Sequence, residues 1–277
     1  MIRPGEGAGS AMAGTVAAVT GGGGGIGRAV AVALATHGAA VVIVGRTAEH
    51  LRETEEAVRS ATPGARAEVT SLRLDVRRED DMEEMARAVL ERHGRIDVLV
   101  HAAGILRASQ AGLRPVAETA VEEWREVLRT NLRGTFLADR AVLPAMIGQR
   151  SGDIVNLSST SALKGLPYAA AYCASKFAIL GLTESLHEEV RRFGVRVQAL
   201  LPGPVATAIW EQNRPVPPPE RCLPVERVAA AVLHLLALPR DVCLVHPALV
   251  PFRPHRRPAW RAAGPGVASM RLEEVGR

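Results

Sequence analysis

Tyr172 and Lys176 stand four residues apart in the stretch AAYCASKFAILG, which contains few helix breakers. Positions i and i+4 of an α-helix lie on one face, so this spacing predicts that the phenol and the ammonium point into the same space. A phenol has a pKa of about 10 and is a poor base at neutral pH unless its surroundings change that value. The alternative is a chance pair on a helix surface. Tyr168 is the second tyrosine, but its i+4 neighbour is Tyr172 and not a lysine.

A run of glycines in AVTGGGGGIGRAV follows an apolar strand pattern and opens a helical pattern. This context is typical of a loop that binds a dinucleotide, because glycines let the backbone approach a pyrophosphate and a helix N-terminus favours its charge. A GxGxxG match at Gly22, Gly24 and Gly27 carries little weight inside such a run. A flexible turn without a ligand is the alternative. The more selective frame, TGxxxGIG, consists of Thr20, Gly21, Gly25, Ile26 and Gly27.

The residue after the second predicted strand indicates which dinucleotide the loop would favour. An acidic side chain there would bind the ribose 2′-hydroxyl of NAD, but this sequence has Gly45 followed by Arg46. A guanidinium suits a 2′-phosphate through charge-assisted hydrogen bonds. Arg46 therefore favours NADP over NAD, with an ordinary exposed loop arginine as the alternative.

The elements that must position these residues follow from the hydrophobic patterns. Apolar, β-branched runs predict strands, and stretches of helical period separate them. Continuous apolar strands that alternate with helices indicate right-handed crossovers and a parallel sheet covered on both faces. The sequence therefore predicts an α/β fold, a doubly wound parallel sheet (Rossmann fold) of about seven strands, at 15–20, 39–45, 68–76, 96–104, 152–159, 195–203 and within 241–252.

Two of the predicted helices are long. One runs from about Val121 to Leu137, with Pro144 ending or kinking its continuation, and the other ends at Gly194. No linker divides the chain, so a single domain is predicted. It covers residues 14–252, between a flexible extension at 1–13 and a basic tail at 253–277 that is a candidate for disorder.

Composition argues against several classes of protein. Hydrophobic residues make up 47% of the 277 residues, enough for a large core, and no run of about 18 apolar residues predicts a membrane span. The net charge is +5, but residues 251–277 carry six arginines and two glutamates, which leaves +1 for the rest. Basic charge confined to a tail, with aromatics at 3%, argues against nucleic-acid binding. Three cysteines without CxxC spacing and the lack of a His/Cys cluster predict no metal site and fit a reducing cytoplasm.

Together the motifs resemble the short-chain dehydrogenase/reductase family over roughly residues 14 to 250. The resemblance rests on TGGGGGIG, DV at 75–76, HAAG at 101–104, NLRGTF at 131–136, IVNLSS, YCASK and LPGPVAT, in that order. Two departures are visible: HAAG stands where the family commonly has NNAG, and the usual DGG after the final strand is absent. His101 is interpreted as a structural donor and not as a catalyst.

The resemblance implies a catalytic set. Tyr172 would be the general acid or base, and Lys176 together with the positive nicotinamide of an oxidised cofactor would lower the pKa of its phenol. Ser159, thirteen residues before the tyrosine, would orient and polarise the substrate oxygen, with Ser158 as a neighbour that bonds within the turn. Asn131 would help to hold a water in the proton relay, or it would be a buried, satisfied amide at a helix bend.

The resemblance also implies the contacts with the cofactor. Asp75 and Val76 would contact the adenine, although an aspartate at the end of a strand also suits capping of the next helix. The stretch PGPVAT would contact the nicotinamide carboxamide. The implied cofactor-binding set is Gly21, Gly25, Ile26, Gly27, Arg46, Asp75, Val76, Ala103, Gly104, Tyr172, Lys176, Pro202, Gly203, Val205 and Thr207.

The sequence thus predicts an NADP(H)-dependent oxidoreductase that transfers a hydride between the nicotinamide and a hydrophobic ketone or secondary alcohol. Substrate choice is expected in the segment ATAIWEQNRPVPPPERCL around and after Thr207. The alternatives are a catalytically silent NADP-binding sensor or scaffold on the same fold, an NAD-preferring alcohol dehydrogenase, and a basic nucleic-acid binder. The family implies a homodimer or homotetramer that pairs through the helices beginning near Val121 and Tyr168.

Overall fold

The computed structural model describes residues 12–63, 68–108, 112–213 and 216–252. The expectations for residues 1–11 and for the tail 253–277 fall outside this part of the chain. Within it, one sheet has the strand order β3-β2-β1-β4-β5-β6-β7, and all neighbouring strands are parallel. The strands are β1 (Val16–Thr20), β2 (Ala40–Gly45), β3 (Val69–Arg73), β4 (Val98–His101), β5 (Gly152–Leu157), β6 (Val195–Pro202) and β7 (Ala248–Leu249).

Helices cover both faces of this sheet, as the continuous apolar strands require. The helices are α1 (Gly25–Thr36), α2 (Ala48–Ala61), α3 (Glu79–His93), α4 (Val121–Leu128), α5 (Gly134–Gln149), α6 (Ala170–Val190) and α7 (Val225–Leu236). One core cluster packs α1, α2 and α7 against the sheet, and a second packs α3, α5 and α6 against its other face. The predicted doubly wound, single-domain α/β fold is confirmed.

The order of the strands places the chain's polar motifs at one edge. Parallel strands end at the same edge of a sheet, and the order reverses direction between β1 and β4, where ligands bind in such folds. The last residues of β1, β4, β5 and β6 are Thr20, His101, Leu157 and Pro202. This edge of the sheet is therefore where four motifs begin: the glycine loop, HAAG, the serines Ser158 and Ser159, and PGPVAT.

Several predicted boundaries were wrong. The long helix from Val121 is not regular, because residues Arg129–Arg133 form a π-helical turn between α4 and α5. Pro144 does not end the helix: it lies within α5, which continues to Gln149. The final strand is only two residues long, and β3 ends at Arg73, before Asp75.

The two helices that flank β5 and β6 end at turns that need a left-handed backbone. Gly194 adopts φ +76°, and a Cβ there would stand 2.4 Å from the carbonyl oxygen of Arg150. Only glycine fits such a close approach without a shift of the backbone. The predicted stop of the long helix at Gly194 is therefore explained, with the helix α6 ending at Val190 and a short 3₁₀ turn in between. None of the helices in the described ranges is both long and apolar enough to cross a membrane.

Candidate active site

Tyr172 and Lys176 lie on consecutive turns of α6, as their spacing predicts. The Nζ atom of Lys176 is 5.7 Å from the centroid of the Tyr172 ring. The same Nζ donates a hydrogen bond of 2.7 Å to the carbonyl oxygen of Leu157, the last residue of β5. This bond fixes the ammonium at the carboxyl edge of the sheet. Burial lowers the pKa of Lys176 to about 8, so the side chain remains mainly protonated at pH 7.

The two serines that follow β5 have different partners. The hydroxyl of Ser158 donates to the carbonyl oxygen of Lys176 at 2.9 Å, which ties α6 to the end of β5. The hydroxyl of Ser159 accepts a hydrogen bond from the N–H of Ser161 at 3.1 Å and also hydrogen-bonds to the Tyr172 side chain. Ser159 is thus the serine that shares the cleft with the phenol, and Ser158 has the structural bond.

The protein groups alone do not lower the pKa of Tyr172, and the expected lowering also involves the positive nicotinamide of an oxidised cofactor. Burial raises this pKa above its usual value, and the hydrogen bond with Ser159 offsets only part of that effect. The reason is that a half-buried phenolate loses hydration, whereas the Lys176 ammonium is 5.7 Å from the ring centroid and is bound to a carbonyl oxygen. Tyr172 is therefore a protonated phenol at neutral pH, in the form that can donate.

Asn131 lies in the π-helical turn between α4 and α5, and its side chain is completely buried. Its Oδ1 accepts from the N–H of Ile105 at 2.8 Å, and its Nδ2 donates to the Ile105 carbonyl oxygen and to the hydroxyl of Ser175. A π-helical turn inside a helix often marks a functional position. Here the amide joins the loop after β4 to α6 and is satisfied by protein groups, which matches the second of the two sequence interpretations.

The glycine loop leaves no room for side chains at three positions, Gly21, Gly22 and Gly27. A Cβ at Gly27 would stand 2.2 Å from the carbonyl oxygen of Gly21, and a Cβ at Gly21, where φ is +67°, would stand 2.7 Å from the backbone nitrogen of Ala103. The hydroxyl of Thr54 donates to the Gly22 carbonyl oxygen at 2.9 Å, and Arg28 donates to that of Gly23 at 2.8 Å. The loop is thus held by helix α2 and by close packing. Its backbone and the N-terminus of α1 together form a cradle that fits a pyrophosphate.

Arg46 is exposed directly after β2, and its carbonyl oxygen accepts from the guanidinium of Arg73. Asp75 faces this position. Its carboxylate is paired with Arg77 at 2.6 Å, and the Arg77 hydrogen bonds together with the nearby Arg46 charge keep the pKa of Asp75 low in spite of its partial burial. Asp75 accepts from the backbone N–H of Arg77, while Asp81 bonds to the Asp75 N–H. Asp75 thus bonds within the turn before α3 and does not cap that helix, which begins at Glu79 without a side-chain cap.

Three other residues of the expected cofactor set lie beside these groups. Val76 is buried, and its side chain packs within 3.0 Å of the place where Gly134 would carry a Cβ. Gly104 adjoins the Nζ of Lys176 and the Oδ1 of Asn131. Ala103 follows β4, next to Gly21. The structure thus brings the residues after β3 and β4 to the same edge as the glycine loop.

His101 is buried at the end of β4 and has a structural contact. Its Nδ1 lies 2.9 Å from the hydroxyl of Thr20, and burial lowers the pKa of the imidazole to about 3, so the ring is neutral. The neighbouring strand holds a second polar group, Asn156, whose Nδ2 donates to Asp139 at 2.9 Å. Asp139 is completely enclosed, and burial raises its pKa to about 7. These groups lie beneath the catalytic edge and not in the cleft.

The stretch after β6 faces the glycine loop. The methyl group of Thr207 is 3.2 Å from the place where Gly25 would carry a Cβ. A cavity of about 470 Å³ opens between the two segments and reaches both Ser159 and Tyr172. Ile26, Pro202, Gly203, Val205 and Thr207 contribute to its wall, and so do the apolar side chains of Leu106, Leu113, Leu166, Ile209, Trp210 and Val216.

Comparison with known proteins identifies the family of this chain. Residues 15–217 match the sequence model of the family described as short chain dehydrogenase. The chain belongs to the short-chain dehydrogenase family. An uncharacterized oxidoreductase of Staphylococcus saprophyticus is 32% identical over 232 residues, which cover 82% of this chain and 93% of that protein. This short-chain dehydrogenase is therefore an oxidoreductase.

Two solved structures are similar in fold and sequence to this short-chain dehydrogenase. Levodione reductase is 32% identical with a TM-score of 0.79, and the match covers 86% of this chain and 96% of that one. Actinorhodin polyketide ketoreductase, solved with NADPH, is 33% identical with a TM-score of 0.76, covering 85% and 95%. Both resemble this short-chain dehydrogenase over nearly all of their own length.

One cleft residue of this short-chain dehydrogenase was missed by the sequence interpretation. Arg107 lines the cavity. Gln212, within the segment expected to choose the substrate, accepts hydrogen bonds from the backbone N–H groups of Leu106 and Arg107. Arg107 lies in an irregular segment, where neither hydrophobic period nor motif spacing gives a signal. The position of Arg107 shortly after a strand that ends at the catalytic edge was the one available indication.

Proposed function

We propose that the protein is an NADP(H)-dependent oxidoreductase that transfers a hydride between the nicotinamide and a hydrophobic ketone or secondary alcohol. The observation that carries this proposal is the single cavity that contains both Tyr172 and Ser159 and extends to Ile26 of the glycine loop. A carbonyl group in this cavity would meet a proton donor on one side and the nicotinamide site on the other. The apolar side chains of the cavity wall support a hydrophobic substrate.

The residues present fit a dinucleotide. The closely packed glycines Gly21 and Gly27 leave backbone N–H groups, and no side chain, at the N-terminus of α1, which suits a pyrophosphate. Asp75 and Val76 would hold the adenine end, and Gly104, Pro202, Gly203, Val205 and Thr207 the nicotinamide end. The cofactor would supply the hydride when bound.

A preference for NADP over NAD is supported by the charges near Arg46. Its guanidinium is exposed at the end of β2, where a 2′-phosphate would lie. The nearby carboxylate of Asp75 is paired with Arg77, so it does not compete for Arg46. The polyketide ketoreductase that shares the fold was solved with NADPH.

Each catalytic side chain would contribute to the transfer of one proton to the carbonyl oxygen. Tyr172 would donate its phenolic proton to the carbonyl oxygen during reduction, and its raised pKa keeps it in the protonated form that this step requires. Ser159 would hydrogen-bond the same oxygen and hold it against the phenol. The Lys176 ammonium would stabilise the phenolate once the proton has left, and Asn131 would hold the loop that adjoins Lys176.

The protein would associate with a second copy of the same chain. Apolar side chains that are exposed or partly exposed lie together on α4, on the π-helical turn, on α5 and on α6, and Phe136 is 45% exposed. Isolated monomers rarely expose such a contiguous apolar surface. The group consists of Val121, Trp124, Leu128, Leu132, Phe136 and Leu182, and it supports the homodimer or homotetramer expected from the family.

The first experiment is a fluorescence titration of the purified protein with NADPH and NADH, followed by a ketone screen with wild type and Tyr172→Phe. Tight NADPH binding and ketone reduction that falls by about 100-fold or more in Tyr172→Phe are expected. Ser158→Ala is the matched control, because this hydroxyl bonds to a backbone carbonyl. NADPH binding without reduction of any ketone would favour the silent sensor or scaffold. A preference for NADH would refute the role of Arg46, and binding of neither would refute the site.

A further inference from the structure

The substrate cavity contains one charge and no opposite charge. Arg107 is the only charged side chain among the described residues that line it; the others are apolar, hydroxyl or amide side chains and backbone. Arg107 lies in the loop after β4 and is half-buried. A cation in a mostly apolar cleft is costly unless an anion compensates it.

The protein provides hydrogen-bond acceptors for only some of the N–H groups of the Arg107 guanidinium. Nε donates to the side-chain oxygen of Asn213 at 2.8 Å, and one terminal nitrogen donates to the carbonyl oxygen of Tyr168. Both acceptors are neutral. The nearest carboxylate influence comes from Glu123, but that side chain is paired with Arg114 at 3.2 Å. Desolvation accordingly lowers the pKa of Arg107, and the Glu123 carboxylate offsets only part of that effect.

Hydrogen bonds hold Arg107 close to the segment that carries Tyr172. The Tyr168 carbonyl that it binds is four residues before Tyr172, and the Asn213 that it binds ends the 3₁₀ segment Ala208–Asn213, on the opposite wall of the cleft. The guanidinium is therefore fixed between the wall that carries the phenol and the segment expected to choose the substrate. A planar guanidinium with remaining N–H donors is matched by a carboxylate.

We propose that Arg107 binds a carboxylate of the substrate, so that the preferred substrates are carbonyl compounds with an apolar body and a carboxylate end. This inference rests on the proposed oxidoreductase function, because it names the substrate class of the same cleft. Arg107 would act as a specificity-determining residue and would not take part in proton transfer.

Binding of a non-reacting carboxylate tests the inference without turnover. Octanoate and octanamide share one apolar chain and differ in charge, and calorimetry can measure both with wild type, Arg107→Met and Arg87→Gln. Wild type should bind octanoate more tightly than octanamide, and Arg107→Met should lose about tenfold to a hundredfold for octanoate only. Arg87→Gln, which removes an exposed arginine of α3 that pairs with Glu84 and Glu91, should bind both as wild type does. Equal losses for both ligands in Arg107→Met would assign Arg107 to holding the Asn213 segment and overturn the inference.

Turnover separates this inference from the proposed function. The reduction of 7-oxooctanoate and of its methyl ester by NADPH should favour the acid in wild type, and Arg107→Met should remove that preference mainly through KM. Efficient reduction of the ester with no preference for the acid would refute the carboxylate site and leave the oxidoreductase function intact. Selective octanoate binding that depends on Arg107, in a protein that reduces neither compound, would support the site and refute the function. Circular dichroism and NADPH titration of Arg107→Met show whether that variant retains the fold.

Discussion

Replacement of Gly27 by alanine should separate cofactor binding from folding. A Cβ at this position would stand 2.2 Å from the carbonyl oxygen of Gly21, whereas a carbon and an oxygen normally approach no closer than about 3.3 Å. The loop would have to move by roughly 1 Å. Gly21 cannot yield freely, because it packs against the backbone of Ala103. Overpacking of this kind costs about 1–3 kcal/mol, so NADPH affinity should fall about 10- to 100-fold.

Gly148→Ala is the matched control. Gly148 lies in α5, away from the glycine loop, and a Cβ there would meet no atom within 4 Å. Fluorescence titration should therefore give an NADPH dissociation constant for Gly148→Ala close to that of wild type. Circular dichroism should show all three proteins folded. Wild-type affinity in Gly27→Ala, or an equal loss in both variants, would refute the assignment of the glycine loop as a close-packed phosphate cradle.

Three further predictions concern cofactor choice, pH and assembly. Arg46→Asp should reverse the preference from NADPH to NADH, since it exchanges the 2′-phosphate ligand for a 2′-hydroxyl ligand; unchanged ratios of the two dissociation constants would contradict it. Burial raises the pKa of Asp139 from 3.8 to about 7, so the folded state binds a proton that the unfolded state releases, and stability declines as pH rises from about 4 to about 7. Asp139→Asn removes that decline, so its free energy of unfolding in urea should rise relative to that of wild type between pH 5 and pH 7, by at most about 3 kcal/mol; parallel pH profiles would rule this out. Phe136→Asp should convert the oligomer to monomer in light scattering, and an unchanged mass would place the interface elsewhere.

The fold was predictable because its signals are local. Five or six apolar residues between helical patterns are enough to indicate a strand of a parallel sheet, and β1 and β2 follow that pattern. The spacing of Tyr172 and Lys176 gave their common face because helix geometry fixes it. The topology then brought distant motifs to one edge, since parallel strands end together.

What could not be predicted depends on tertiary contacts. The amide of Asn131, in the π-helical turn, bonds to Ile105 and Ser175, which are distant in sequence. Pro144 is tolerated within α5, although a proline usually marks the end of a helix. The raised pKa of Tyr172 depends on burial, which no spacing reports.

The bonds of Gln212 have a consequence for how this cleft could change during evolution or in the laboratory. Its Oε1 accepts from backbone groups of Leu106 and Arg107, more than 100 residues earlier in the chain, and Asn213 binds the side chain of Arg107. Substitutions in contact are not additive, so altered residues in the two segments would show epistasis. A library that varies only residues 208–213 would consist mostly of variants that have lost the hydrogen bonds of Gln212 and Asn213 to residues 106 and 107. New substrate preferences should be reached more often when 105–107 and 208–213 are randomised together.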